Sequence, residues 1–283
     1  MSRLPELPPL RDVIRRYDLR ALRQLGQNFL LDLNLTRRIA AAAGDLTDRT
    51  VIEIGPGPGG LTRALLETAV RQVVAVERDP RCLTALGELE TAADGRLVLI
   101  AGDALGFPAA STGTAPRQIV ANLPYNIATP LLIGWLATPE AFERLTLMFQ
   151  KEVADRLTAS PGGRAWGRLG VIANWRWRAE KLFDVSPKAF VPPPKVTSSI
   201  VSFVPRPAGT YPEADPRLME KIVAAAFNQR RKMIRRSLTT LGPAATELIR
   251  AAEAAGIDPE TRAERLTIED FCRLARLATT LSL

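Results

Sequence analysis

The sequence contains no histidine at all. Histidine-ligated metals, Ser-His triads and imidazole general bases are therefore excluded, and any catalysis proceeds without the side chain that titrates near neutral pH. Cysteine is almost as scarce. Cys82 and Cys272 lie far apart and in no paired motif, which suggests neither a zinc site nor a disulfide framework. Long apolar runs are missing too: no stretch reaches the roughly 18 apolar residues of a membrane span. The opening MSRLPELPPLRDVIRRYDLR has no apolar core of signal-peptide length, so residues 1–20 read as an N-terminal arm. A soluble cytoplasmic protein is the simplest expectation.

The 283 residues are 46% hydrophobic and 24% charged, enough to bury the core of one large domain or two unequal ones. Lys and Arg number 38 against 30 Asp and Glu; the net charge of +8 and pI near 10.1 suggest a polyanionic partner.

From residue 50 the pattern alternates. TVIEIG (50–55), VVAVERD (73–79), RLVLIAGDA (96–104), RQIVANLPY (117–125) and RLTLMFQ (144–150) are short apolar runs, and LTRALLET (61–68) and RCLTALGELE (81–90) between them have helical spacing. Such alternation implies an α/β protein with a parallel sheet covered on both faces, and such sheets bind ligands at the carboxyl ends of their strands. GRLGVIANWRWRAEKLFDV (167–185) reads as a helix running into a strand, and KVTSSIVSFVP (195–205) as another strand. The Pro-rich RPAGTYPEADP (206–216) reads as a linker, and beyond it the pattern is helical. These features divide the chain into a catalytic domain over 21–210 and a helical domain over 211–283.

Glycines at 55, 57, 59 and 60 follow the first strand and open a helix, where a ligand can approach bare backbone. The spacing is G-x-G-x-G-G rather than the dinucleotide G-x-G-x-x-G. Glu77, 22 residues after Gly55, ends the second strand and can accept hydrogen bonds from ribose hydroxyls. Asp103 ends the third, where by itself it equally reads as a helix cap. Acids at successive strand ends (Glu53, Glu77, Asp103) suit a cationic ligand with hydroxyls better than a pyrophosphate. S-adenosylmethionine is such a ligand.

The fourth strand ends in ANLPYNIAT (121–129). An adenine amine is a weak nucleophile because its lone pair is delocalised into the ring. Accepting its N–H bonds localises that pair, and Asn122 supplies an amide oxygen for this. Pro124 favours an extended Leu123, so that backbone carbonyls can be aimed outward. Tyr125 offers a face on which a base stacks. Four such residues alone also fit a strand-ending turn; their place in the strand series favours the chemistry.

Residues 23–30 (RQLGQNFL), 53–62 (EIGPGPGGLT), 102–105 (GDAL), 122–127 (NLPYNI), 149–157 (FQKEVADRL), 190–196 (FVPPPKV) and 227–238 (FNQRRKMIRRSL) together resemble the ribosomal RNA adenine N6,N6-dimethyltransferases, closest to the bacterial small-subunit (16S) type. Only Met233 and Arg236 depart mildly from the family pattern, which is more polar there. The resemblance implies a Rossmann-like S-adenosylmethionine-dependent methyltransferase fold with a mostly parallel seven-stranded sheet and a small all-α C-terminal domain. It implies that Asn28, Leu30, Gly55, Gly57, Glu77, Asp103 and Asn122 hold the methyl donor, without a metal. It also implies that Asn122, Leu123, Pro124 and Tyr125 face the target base, with Phe190 as the second wall of the base sandwich. The implied substrate is a pair of adjacent adenines in a hairpin loop near the 3′ end of 16S rRNA within the small subunit, modified by a monomer. A large-subunit methylase, or an assembly factor acting mainly by binding, stands as the alternative.

Between residues 217 and 241 there are seven basic residues and one acid, against five and seven from 242 onward, so the positive charge is local. On one continuous helix Ala224, Phe227, Ile234, Leu238 and Leu241 would share a face. Lys232 and Arg236 would lie opposite, Arg235 on the flank, and Arg230 and Arg231 at the edges of the apolar stripe. Beside a base-methylating site these cations are expected to contact RNA phosphates.

Overall fold

The computed structural model describes residues 7–281. Its first compact unit comprises residues up to Ala154 together with Ala179–Pro205, and its second comprises Asp155–Arg178 together with Arg206 to the end. In chain order the longer elements are α1 (Leu10–Arg16), β1 (Phe29–Leu30), α2 (Leu33–Ala42), β2 (Thr50–Ile54), α3 (Gly60–Leu66), β3 (Gln72–Glu77), α4 (Pro80–Ala92), β4 (Leu97–Ala101), β5 (Arg117–Ala121) and α5 (Tyr125–Leu136). They continue with β6 (Arg144–Gln150), α6 (Lys151–Leu157), α7 (Arg168–Trp175), β7 (Trp177–Val185), β8 (Phe190–Val191), β9 (Ser198–Pro205), α8 (Pro216–Asn228), α9 (Ile234–Ser237), α10 (Ala245–Ala254) and α11 (Ile268–Thr280).

Seven strands form one sheet in the order β4-β3-β2-β5-β6-β9-β7. The pairs β3–β4, β2–β3, β2–β5 and β5–β6 are parallel, and β9 runs antiparallel to β6. The central parallel strands β2, β3, β5 and β6 are largely apolar because both faces of the sheet are covered there, whereas the edge strand β4 leaves Val98 36% exposed. Val51, Ile52, Val73, Ile119 and Leu145 are accordingly inaccessible to solvent. Helix starts follow side-chain caps. Asp79 accepts from Arg81 N ahead of Pro80, and Asp215 accepts from Arg217 N and Leu218 N ahead of Pro216. A separate ribbon pairs β1 antiparallel with β8, setting Phe29 opposite Val191 and Leu30 opposite Phe190.

Three expectations are corrected. The segment expected as an arm is folded from residue 7 onward. Leu10, Val13 and Leu19 are 4%, 3% and 2% exposed, and Val13 and Leu19 pack with Phe29, Cys82 and Ala85. Leu10, Val13, Ile14 and Tyr17 form an i, i+3, i+4, i+7 stripe that the interspersed charges obscured. Residues 1–6 lie outside the described residues. The basic segment is not one helix. α8 ends at Asn228, the chain turns, and Met233 pairs with Arg262 while Ile234 N donates to Thr261 O at 2.8 Å, so backbone bonds leave the helix for a neighbouring segment. Finally, residues 155–178 pack with the C-terminal helices rather than with the sheet: Trp166 and Val171 sit in the core built by Met219, Ile222, Leu238 and Phe271. Among the described residues no helix is long and apolar enough to cross a membrane.

Candidate functional site

After β2 the chain steps outward to β3 and β4, then returns to place β5 on the other side of β2. Parallel strands diverging from such a reversal leave a crevice at their carboxyl ends. A cavity opens there, and it is lined by Asn28, Leu30, Gly55, Gly57, Glu77, Asp103 and Asn122, together with Leu123, Pro124 and Tyr125. Residues spread over nearly a hundred positions thus share one wall because four parallel strands end at one edge.

The glycine loop is shaped for close approach. Gly55 and Gly57 hold φ of 68° and 55°, a region costly for residues with a Cβ. Gly57 N donates to Glu77 Oε2 at 3.0 Å, while Arg78 N and Asp79 N donate to Oε1, each at 2.8 Å. Three of roughly four lone-pair positions on Glu77 are therefore used by its own backbone surroundings. Burial pushes this carboxyl above its ordinary pKa, and the three N–H bonds pull it back. At Gly60 a Cβ would lie 2.6 Å from the Leu30 carbonyl oxygen, backbone against backbone. Gly60→Ala is therefore expected to cost about 1–3 kcal/mol of stability and to weaken donor binding by displacing Leu30. Thermal melting with and without donor measures both; an unshifted melting temperature would mean that β1 yields freely.

Asp103 serves two ends. Its Oδ1 caps the following turn by accepting from Leu105 N at 3.0 Å, so the capping alternative is realised, while Oδ2 lies 3.5 Å from Arg78 Nη1. Glu53 is only 2% exposed, and its Oε2 is buried without a hydrogen-bond partner. Burial, reinforced by the nearby Glu77 charge, lifts its pKa to about 8. An orphaned carboxyl oxygen in the cavity wall can accept from N–H donors, and a cationic ligand such as the methyl donor would favour its ionised form.

Asn122 lies at the end of β5. Its Nδ2 donates to the Asn28 carbonyl at 3.2 Å, which fixes the amide orientation and leaves Oδ1 as the free accepting end. The Gln27–Leu30 segment that supplies this carbonyl is itself anchored: Gln27 Nε2 donates to Asp79 Oδ2 at 3.0 Å. Leu123 is buried at 2%, and Tyr125 begins α5 half-buried, its hydroxyl 2.6 Å from Ser198 Oγ. Burial keeps the Tyr125 phenol above its ordinary pKa, so it stays neutral.

Phe190 is placed differently. It is 2% exposed, packed with Leu30, Ile39, Val185 and Ile200, and does not line the cavity. The pairing of β8 with β1 sets it across from Leu30, where the ring completes the core. Arg78 and Leu105 line the cavity although their letters carried no obvious signal; Leu105 is 56% exposed at its rim. The basic residues 230–232, 235 and 236 are all exposed on the second unit.

A Rossmann-like sheet, a glycine turn and strand-end acids around one crevice define the methyltransferase class, and comparison with known proteins narrows it. The family described as ribosomal RNA adenine dimethylase matches residues 19–280. Relatives called ribosomal RNA small subunit methyltransferase A are 56% identical in Rhodopseudomonas palustris strain BisA53 (98% of this chain, 96% of the relative) and 56% identical in Paracoccus denitrificans (98% of each). Among solved structures, the 23S rRNA methyltransferase ErmE is 28% identical, with a TM-score of 0.65 over 88% of this chain and 99% of its own. A dimethyladenosine transferase from Plasmodium falciparum shares the fold, with a TM-score of 0.78, 24% identity and coverage of 90% and 98%. The chain belongs to the ribosomal RNA adenine dimethylase family.

Proposed function

We propose that the protein transfers methyl groups from S-adenosylmethionine to N6 of two adjacent adenines in a hairpin loop near the 3′ end of 16S rRNA, acting in the cytoplasm as a monomer during small-subunit biogenesis. The carrying observation is the Asn122 amide, its nitrogen held by the Asn28 carbonyl and its oxygen left to accept at the cavity beside Tyr125. Bound S-adenosylmethionine supplies an electrophilic methyl group on a sulfonium.

The chain's own residues do the rest. Glu77 and Asp103 hold the donor's ribose and adenine; Glu53 faces its positive charge. Asn122 Oδ1 and the backbone carbonyl of Leu123 accept the N–H bonds of the target amine and localise its lone pair. Tyr125, pinned through Ser198, stacks on the base after it leaves its own stack. Positioning then lowers the barrier. The methylated amine is briefly acidic and gives its proton to water, so no tuned base is needed and the lack of histidine costs nothing. Phe190 takes the role of second wall only by turning out of the core. Phe190→Ala is therefore a stability change, about 3–5 kcal/mol, before it is a catalytic one.

The test is methyl transfer from labelled donor to unmethylated small subunits, with modified bases mapped. Label on the two adjacent adenines is expected; label on large-subunit rRNA or DNA, or none, sinks the reading. Tyr125→Ala is expected to cost roughly 1–3 kcal/mol of base stacking, seen as weaker substrate binding with donor affinity kept, whereas Tyr125→Phe keeps the stack. Equal losses in both variants would assign the role to the hydroxyl instead.

A further inference from the structure

One polar chain joins the donor side of the cavity to the base side. Glu77 Oε1 accepts from Asp79 N at 2.8 Å. The side chain of Asp79, 2% exposed, turns to the segment before β1, where its Oδ2 accepts from Gln27 Nε2 at 3.0 Å. Gln27 Oε1 accepts in turn from Leu22 N at 2.9 Å, so both ends of this amide are occupied and its orientation is fixed. One residue on, the Asn28 carbonyl accepts from Asn122 Nδ2 at 3.2 Å. Arg81 adds a second tie: its Nη2 meets Asp79 Oδ2 at 2.7 Å and donates to the Arg20 carbonyl at 3.2 Å. A single buried carboxylate thus holds the 20–28 stretch near both of its ends.

Asp79 also caps α4 by accepting from Arg81 N at 3.1 Å, but that task falls to Oδ1. A helix cap needs no glutamine from another segment. Nor does the β1–β8 ribbon fix the carbonyl that Asn122 meets, because its pairing begins only at Phe29. The Asn28 side chain bonds locally, to the Gly26 carbonyl at 3.2 Å. Gln27 is therefore the anchor that holds the Asn28 carbonyl from the preceding side.

We propose that Gln27 and Asp79 are positioning residues for the methyl transfer. Through the Asn28 carbonyl they hold the Asn122 amide with Oδ1 turned to the target amine, and through the Asp79 N–H they tie that orientation to the Glu77 end of the donor site. The proposal rests on the reading of Asn122 as the acceptor for the amine and deepens it. A misplacement of about 1 Å can cost on the order of 10²-fold in rate, so a side chain that never meets the amine can still set the rate of transfer.

The experiment measures single-turnover methyl transfer to unmethylated small subunits at saturating donor, with donor affinity and melting temperature beside it. The variants are Gln27→Ala, Gln27→Glu, Asp79→Asn, and Gln27→Glu combined with Asp79→Asn. Gln27→Ala is expected to lower the rate by roughly ten- to a hundredfold, and saturating donor should not restore it. Gln27→Glu sets carboxylate against carboxylate. Asp79→Asn can still cap α4 with its one oxygen, but only by setting N–H against N–H at Gln27. Each should lose a similar factor. The combination reverses the polarity of the bond and should recover to within about threefold of the parent. In an Asn122→Ala background, Gln27→Ala should cost less than about twofold more, because its route to the amine is already gone. Parental rates in Gln27→Ala, or losses that simply multiply with Asn122→Ala, would overturn the positioning role and leave the methyltransferase reading standing. So would losses that follow the melting temperature and do not recover in the combination. Failure of the unaltered protein to label the two adenines would overturn that reading and the positioning role with it.

Discussion

Asn122→Ala is expected to lower methyl transfer by about 10²–10³-fold, the loss typical when one preorganised polar group is removed from the point where charge shifts. Two interactions go at once. The target amine loses its accepting oxygen, and the Asn28 carbonyl loses the Nδ2 bond at 3.2 Å that ties the Gln27–Leu30 segment to the end of β5. Asn122→Asp separates them, because a carboxylate still accepts but cannot donate to the Asn28 carbonyl. The aspartate variant should retain part of the activity and show weaker donor binding. Asn122 is only half-buried, so both variants should fold and melt near the parent. Single-turnover rates with saturating donor give the answer. Activity of Asn122→Ala within tenfold of the parent would remove Asn122 from the chemistry.

Glu53→Gln should change the pH dependence of stability between about pH 4.5 and 8. A Glu53 pKa lifted to about 8 means that the native state keeps a proton the unfolded chain releases above its ordinary 4.5. Where the native state binds more protons, stability falls as pH rises. The loss therefore accumulates between about pH 4.5 and 8, at about 1.4 kcal/mol per pH unit, reaching about 4 kcal/mol at the upper end. Glutamine has no proton to lose. The variant should be near the parent at pH 5 and more stable than it at pH 8.5, as read by urea denaturation at the two values. Glu77, also raised, contributes in the same direction, whereas Asp79, held down to about 2 by Arg81 and then Gln27, contributes only on the acid side, losing its stabilisation as pH falls from about 4 towards 2. A parent–variant gap that is the same at both pH values would mean that Glu53 is ionised in the fold. Donor binding gives an independent reading: a cationic ligand favours the ionised carboxylate, so donor affinity should rise between pH 7 and 9 in the parent and stay flat in Glu53→Gln.

Much of the sheet was legible because its signals are local. β6 spans the run RLTLMFQ, β2, β4 and β5 fall within the apolar runs that imply them, and β3 starts one residue ahead of its run, at Gln72; central strands buried on both faces must be largely apolar. Glu77, Asp103 and Asn122 were legible because strand ends in a parallel sheet converge wherever the strands lie. α5 was not, because Pro130 sits inside it and removes a helical N–H; burial of Leu131, Leu132 and Trp135 holds it instead. The family resemblance pointed to Asn28 and Leu30, whose letters otherwise read as an ordinary turn.

The sequence by itself determined the alternation of strands and helices, the glycine turn, the acids and the Asn-Leu-Pro-Tyr stretch, and the chemistry these groups can perform. Each is written within a few residues, where backbone preference and apolar period act. Tertiary structure decided which strand lies beside which, and hence that Asn122 enters from one side of β2 while Glu77 and Asp103 enter from the other. It also decided that Phe190 is core, that residues 155–178 belong with the C-terminal helices, and that Arg230 faces Glu264 while Arg262 faces solvent. These depend on which distant surfaces bury one another and which distant charges cancel, and neither is encoded in local spacing.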